Sequence, residues 1–188
     1  IIGQLLTVNL VAFYFNFQFN YILSNTIIIF SAISNCYLIY FYKEQHLNNS
    51  MAFTFLNADI FQLSFLFYLT GGITNPFIIF LIIPCVFSST NLDLRTNLLL
   101  CLITIISIVI LTKFHVDLPS PLSDHFHVSN YYYYSIPIAL IIALVFLNYF
   151  AMTFGTQSRL RKEALAKMEE VMAKEHELLS LGGQAAAA

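Results

Sequence analysis

The chain has 188 residues, of which 59% are hydrophobic, 16% aromatic and only 10% charged, and its mean hydropathy is +0.76. A soluble domain carries about 25% charged residues because its surface meets water, so 8 basic and 10 acidic side chains cannot coat a soluble globule of this length. Most of them cluster between Arg159 and Glu177, and the formal net charge of -2 provides no basic surface for nucleic acid. A single soluble domain, a disordered chain and a nucleic-acid binder are excluded. What remains is an integral membrane protein with a short polar tail.

The stretch Ile1–Leu10 has the apolar character of a signal-peptide core, but no basic region precedes it and no small-residue cleavage site follows. With no initiator Met, the chain is expected to begin partway into a longer protein. A spanning helix needs about 20 apolar residues. Polar breaks divide residues 1–155 into six such segments: 1–17, 21–42, 51–70, 77–91, 96–114 and 132–155. Pro84 lies inside the fourth and predicts a kink there, because proline removes a backbone donor and crowds the preceding turn. The fold class is therefore all-α: a polytopic membrane domain of six transmembrane helices, followed over 156–188 by a helical linker.

Basic residues concentrate on the cytoplasmic side of membrane proteins. With six spans and a cytoplasmic tail, seven of the eight basic residues fall on that side, and only Lys113 lies near the outer face. Both termini are expected in the cytoplasm. Tyr40 and Tyr42 close one span and Tyr131–Tyr134 open another, which places tyrosine at the headgroup belt in a chain without Trp.

Asp59 is the one ionisable side chain well inside a predicted span, and charge at that depth marks a functional candidate. Gln62 follows three residues on, within reach of a hydrogen bond to Asp59; a polar clamp between helices explains the pair equally well. Asn9, Asn16, Asn25, Asn35, Asn57 and Asn148 are expected to bridge helices. Cys36, Cys85 and Cys101 have neither metal-binding nor disulfide-framework spacing and read as small apolar residues. His115, Asp117, Asp124, His125 and His127 cluster in the longest outer loop, where a solvated loop outweighs a metal site.

Gly71-Gly72-Ile73-Thr74-Asn75-Pro76-Phe77 is the most informative stretch. Two glycines end one helix, since glycine takes left-handed dihedrals without penalty. Pro76 suits the first turn of the next helix. A tight hairpin accounts for the glycines and the proline, but less well for Asn75 and Phe77. An amide and an aromatic ring at a membrane edge suit a flat polar headgroup on a lipid tail.

This stretch resembles the GGxxNPF signature of the RegB/PrrB redox-sensing histidine kinases. The resemblance extends upstream through Asp59, Gln62, Leu63 and Leu69, and reappears at Leu179–Ala188, which is similar to the Leu-Gly-rich and Ala-rich approach to that family's phospho-acceptor box. It implies a sensor of the quinone pool. Gly71, Gly72, Asn75, Pro76 and Phe77 would bind ubiquinone or another membrane quinone, and Asp59 and Gln62 would take part in coupling. The full-length protein would be an ATP-dependent protein-histidine kinase of the bacterial inner membrane. It would be a homodimer and would pass phosphate to a response regulator.

The acceptor histidine and the ATP- and Mg-binding domain are expected beyond Ala188, so this stretch alone should be catalytically inactive. His176-Glu177-Leu178 imitates the start of the acceptor box but lacks its proline, Leu181 standing in that place, and reads as a solvated helix residue. Leu165, Met168, Met172 and Leu179 recur at spacings of three to seven, a short coiled-coil seam interrupted by Glu175. The rival readings are a small transporter or membrane scaffold, which predicts repeats and broken helices, and a quinone-reducing subunit, which needs haem-ligand histidines within the spans. The sequence displays neither pattern.

Overall fold

The computed structural model describes residues 1–14, 19–41, 48–116 and 130–187, and side chains of all but 130 and 177–187 among these. The described regular structure is entirely helical. It comprises α1 (Ile2–Phe13), α2 (Tyr21–Phe41), α3 (Asn49–Leu69), α4 (Ile83–Asn91), α5 (Leu94–Lys113) and α6 (Asn130–Ala187), with 3-10 segments Gly72–Thr74 and Pro76–Ile82 joining α3 to α4. In lipid every backbone N–H needs a partner from the chain itself, and a helix supplies it locally. Hydroxyls in the apolar runs do the same: Thr26, Thr54, Ser64, Thr104 and Thr112 each donate to the carbonyl four residues back.

Helices α2, α3, α5 and α6 are long and apolar enough to cross a bilayer, whereas α1 and the Pro76–Asn91 stretch are apolar but shorter. The all-α polytopic architecture agrees with the sequence reading. The fourth span differs in detail. It runs as a 3-10 helix over Pro76–Ile82 and becomes α-helical at Ile83, so Pro84 sits in the first turn of α4. There its missing N–H costs little, and the expected mid-helix kink becomes a change of helix type.

One core joins α3, the 3-10 segments, α4, α5 and α6 through Ile60, Leu81, Cys85, Leu100, Ile108 and Leu144. Helices α1 and α2 form a side pair, docked by Val8 and Ile28 against Leu66. Asn9 and Asn25 clasp this pair with two reciprocal amide hydrogen bonds of 3.1 Å. Outward-facing Phe30, Ile39, Leu98, Val109, Ile142 and Phe146 remain exposed. Such surfaces suit hydrocarbon and would be costly in water.

α6 continues without interruption from Asn130 to Ala187, with Pro137 inside it. The change of composition near residue 155 is not a break in the helix. At that point α6 leans closely on the end of α4: a Cβ on Gly155 would stand 3.1 Å from Thr90 Cα, and Arg159 Nη2 donates to the Thr90 carbonyl at 2.9 Å.

Candidate functional site

Helix α3 ends at Leu69, and the next residues turn through two left-handed positions, Gly71 at φ 98° and Gly72 at φ 55°. Gly72 is required twice over. Its dihedral is strained for any other residue, and a Cβ there would overlap His115 Cβ and Cγ. His115 itself is held by Leu111, whose carbonyl lies 3.0 Å from Nδ1. The Val116 N–H donates to the Tyr68 carbonyl at 2.9 Å, and the Tyr133 hydroxyl donates to the Thr112 carbonyl. The ends of α3, α5 and α6 are thereby tied together around the glycine turn.

Asn75 is the fastener of the loop. Its Nδ2 donates to the Thr70 carbonyl and to Thr70 Oγ1, both at 2.9 Å, and its Oδ1 accepts from the Phe77 N–H at 2.9 Å. Thr70 Oγ1 in turn donates to the Leu66 carbonyl at 2.8 Å. Asn75 thus caps the 3-10 segment that Pro76 begins. Its amide hydrogens already serve Thr70.

Beside this loop lies a cavity of about 480 Å³ between α1, the end of α3 and the Pro76 segment. Phe67, Phe77 and Phe80 give it aromatic walls, and Gln4, Thr7, Thr70 and Asn75 supply its polar side chains. Phe77 and Phe80 lie with ring centroids 5.9 Å apart. The structure brings Asn75, Pro76 and Phe77 onto one cavity, but Gly71 and Gly72 do not line it. The glycines shape the turn. Pro76, besides opening the 3-10 segment, forms part of the wall.

Asp59 and Gln62 are not among the residues that line the cavity, although their neighbour Leu63 is. Gln62 Nε2 is buried without a hydrogen-bond partner among the described residues, so the expected bond from it to Asp59 does not form. Of the outer histidine cluster, Asp117, Asp124, His125 and His127 fall outside the described residues. Among those that are described, no group of His, Cys, Asp and Glu is arranged for a metal ion.

Sequence spacing missed two features. Gln4 and Thr7 line the cavity, although each reads as an ordinary polar residue in an apolar run; the signal was their separation by one helical turn. The second is a buried polar chain across α4, α5 and α6. Ser88 Oγ donates to Asn97 Oδ1 at 2.5 Å, Asn97 Nδ2 to Asn148 Oδ1 at 3.1 Å, and Asn148 Nδ2 to Cys101 Sγ at 2.6 Å. Cys101 Sγ lies 2.6 Å from Cys85 Sγ, and both cysteines are free. Asn148 bridges helices as expected, whereas Asn35 donates to the Ser31 carbonyl within its own helix.

Comparison with known proteins accords with this architecture. Residues 3–166 match the family described as the PilS-like transmembrane domain, a six-span module. The sensor histidine kinase RegB of Cereibacter sphaeroides is 31% identical over 148 residues, which cover 79% of this chain and 32% of RegB. The chain therefore spans about a third of that relative's length. No solved structure matches it. The match across nearly all of the six helices carries the assignment: the chain belongs to the PilS-like transmembrane domain family, as a RegB/PrrB-like membrane sensor region.

Proposed function

We propose that this chain is the sensing part of a two-component histidine kinase that reads the redox state of the membrane quinone pool, and that the headgroup occupies the cavity beside Asn75–Phe77. The observation that carries the proposal is the coincidence of that cavity with the signature residues Asn75, Pro76 and Phe77. A planar headgroup fits between Phe77, Phe80 and Phe67, and its isoprenoid tail fits the apolar lining toward lipid. Gly71 and Gly72 contribute by setting the turn that aims Phe77.

The kinase activity, the response regulator, the homodimer and the inner-membrane location with both termini cytoplasmic belong to the same proposal, supported by the relationship to a sensor histidine kinase. The unbroken α6 supports a mechanical route from cavity to tail. Asp59 and Gln62, outside the cavity lining, would act on coupling.

The test uses the full-length kinase in lipid nanodiscs, with autophosphorylation followed against oxidised and reduced short-chain ubiquinone. Wild type should show a redox-dependent rate. Phe77→Ala should weaken quinone binding about fivefold to tenfold, through about 1 kcal/mol of lost contact, and should flatten the redox response. Equal quinone affinity and an equal response in Phe77→Ala would reduce the loop to a helix connection.

A further inference from the structure

Cys85 and Cys101 read from the sequence as small apolar residues, yet the fold sets their sulfurs 2.6 Å apart, and both are free thiols. A disulfide bond is about 2.05 Å long, so a covalent link needs the sulfurs to close by only about half an ångström. The two thiols differ in access. Cys85 follows Pro84 in the first turn of α4 and is fully buried. Cys101 on α5 is only half-buried, and its neighbours Leu98 and Leu102 are exposed toward lipid. Asn148 of α6 marks Cys101 further: its Nδ2 donates to Cys101 Sγ at 2.6 Å, while its Oδ1 accepts from Asn97. A hydrogen bond to sulfur supports the charge that develops when a thiol acts as a nucleophile.

We propose that Cys85 and Cys101 form a thiol switch within the membrane domain, oxidised to an α4–α5 disulfide by a small uncharged peroxide arriving from the lipid side, and that Asn148 relays the change to α6. Cys101 Sγ attacks one peroxide oxygen. The O–O bond breaks, and the Cys101 proton leaves with the departing oxygen as water, which makes Cys101 a sulfenic acid. Cys85 Sγ, already in contact, then attacks the Cys101 sulfur. The S–O bond breaks, and the hydroxide takes the Cys85 proton as a second water. Two thiols have lost two electrons and one peroxide has gained them. A dithiol reductant reverses the link by exchange.

The relay follows from the contacts of Asn148. In the reduced state one amide ties α6 to Asn97 and to the Cys101 sulfur, both on α5. Drawing that sulfur toward α4 weakens the second tie, and the difference between the two states falls on the helix that continues into the tail. Neither cysteine lines the cavity beside Asn75, so the switch does not depend on the quinone reading.

The experiment treats the full-length protein, in nanodiscs, with hydrogen peroxide, alkylates the remaining thiols in denaturant, and digests with pepsin without reductant for mass spectrometry. Wild type should yield the Cys85 peptide joined to the Cys101 peptide, absent before treatment and lost again with dithiothreitol. Both cysteines recovered alkylated, or Cys101 recovered as a sulfinic acid with Cys85 alkylated, would overturn the switch, and this result needs no variant. Autophosphorylation is then compared before and after oxidation. It should shift at least about twofold in wild type, reversibly with dithiothreitol, and the reversible part should be missing from Cys85→Ala. Asn148→Leu should form the link about tenfold more slowly, through the lost hydrogen bond to the reacting sulfur, and should lose the shift even when fully linked. A fully linked Asn148→Leu that shifts like wild type would overturn the relay, as would a linked wild type that behaves like Cys85→Ala. Absence of any autophosphorylation in wild type would instead sink the kinase reading, and the peptide masses would still decide the link.

Discussion

Asn75 holds three hydrogen bonds within its own turn, and that changes what its substitution should do. Asn75→Ala removes the cap of the Pro76 segment and leaves part-buried Thr70 and Phe77 groups without their partner. The cost should be about 1–3 kcal/mol, read as a lower unfolding temperature in detergent even without quinone. Phe77→Ala, which leaves those bonds in place, should affect ligand binding more than the turn. On the opposite side of the bundle, Asp93 caps α5. Thr96 Oγ1 donates to it at 2.6 Å, the Thr96 N–H at 3.2 Å, and Asn49 Nδ2 at 2.9 Å. The hydrogen bond from the Thr96 hydroxyl, followed by that from its N–H, holds the Asp93 carboxyl below the usual carboxylate range. A carboxyl whose folded pKa lies below its unfolded value stabilises fully above the ordinary range and loses that contribution as pH falls through the lowered value. The difference in unfolding temperature between wild type and Asp93→Ala should therefore be present at pH 7 and shrink on acidification below the ordinary carboxylate range. A difference independent of pH would show that the carboxylate charge is not what makes the cap.

Between elements, the buried chain Ser88–Asn97–Asn148–Cys101 is the polar joint of α4, α5 and α6. Interhelical hydrogen bonds in membranes are worth about 0.6–2 kcal/mol. Asn148→Leu should cost about 1 kcal/mol in unfolding, and a double-mutant cycle with Asn97→Leu should return a coupling of similar size. A cycle that sums to zero would make the two amides independent. The helices themselves were legible because polar residues punctuate long apolar runs, and Gly71, Gly72 and Pro76 mark their turn by backbone requirement alone. The 3-10 form of Pro76–Ile82 was not, since an all-apolar run looks the same at three or 3.6 residues per turn. Nor was the meeting of Cys85 with Cys101, which depends on how α4 lies against α5. At the site, Asn75 and Phe77 stood out by residue type and position. Gln4 and Thr7 become cavity residues only once α1 docks beside α3, which no spacing within α1 reveals.

The whole molecule divides into a four-helix core and the α1–α2 side pair, and the candidate cavity lies along the seam where α1 meets α3. A ligand there is placed to alter how the pair docks, while α6, packed on α4 and α5, carries the opposite end of the bundle into the tail. The 58 residues of α6 form one uninterrupted helix, with Gly155 against Thr90 at the point where it leaves the core. Acting as a crankshaft, such a helix would deliver angular phase. Each residue inserted after Arg161 turns everything beyond it by about 100°, and seven residues restore the bearing to within about 20°. In the full-length kinase, insertions of one to seven residues at that point should give a signalling output that oscillates with helical phase and returns at seven. A steady decline with length would mean that the tail transmits distance and not angle.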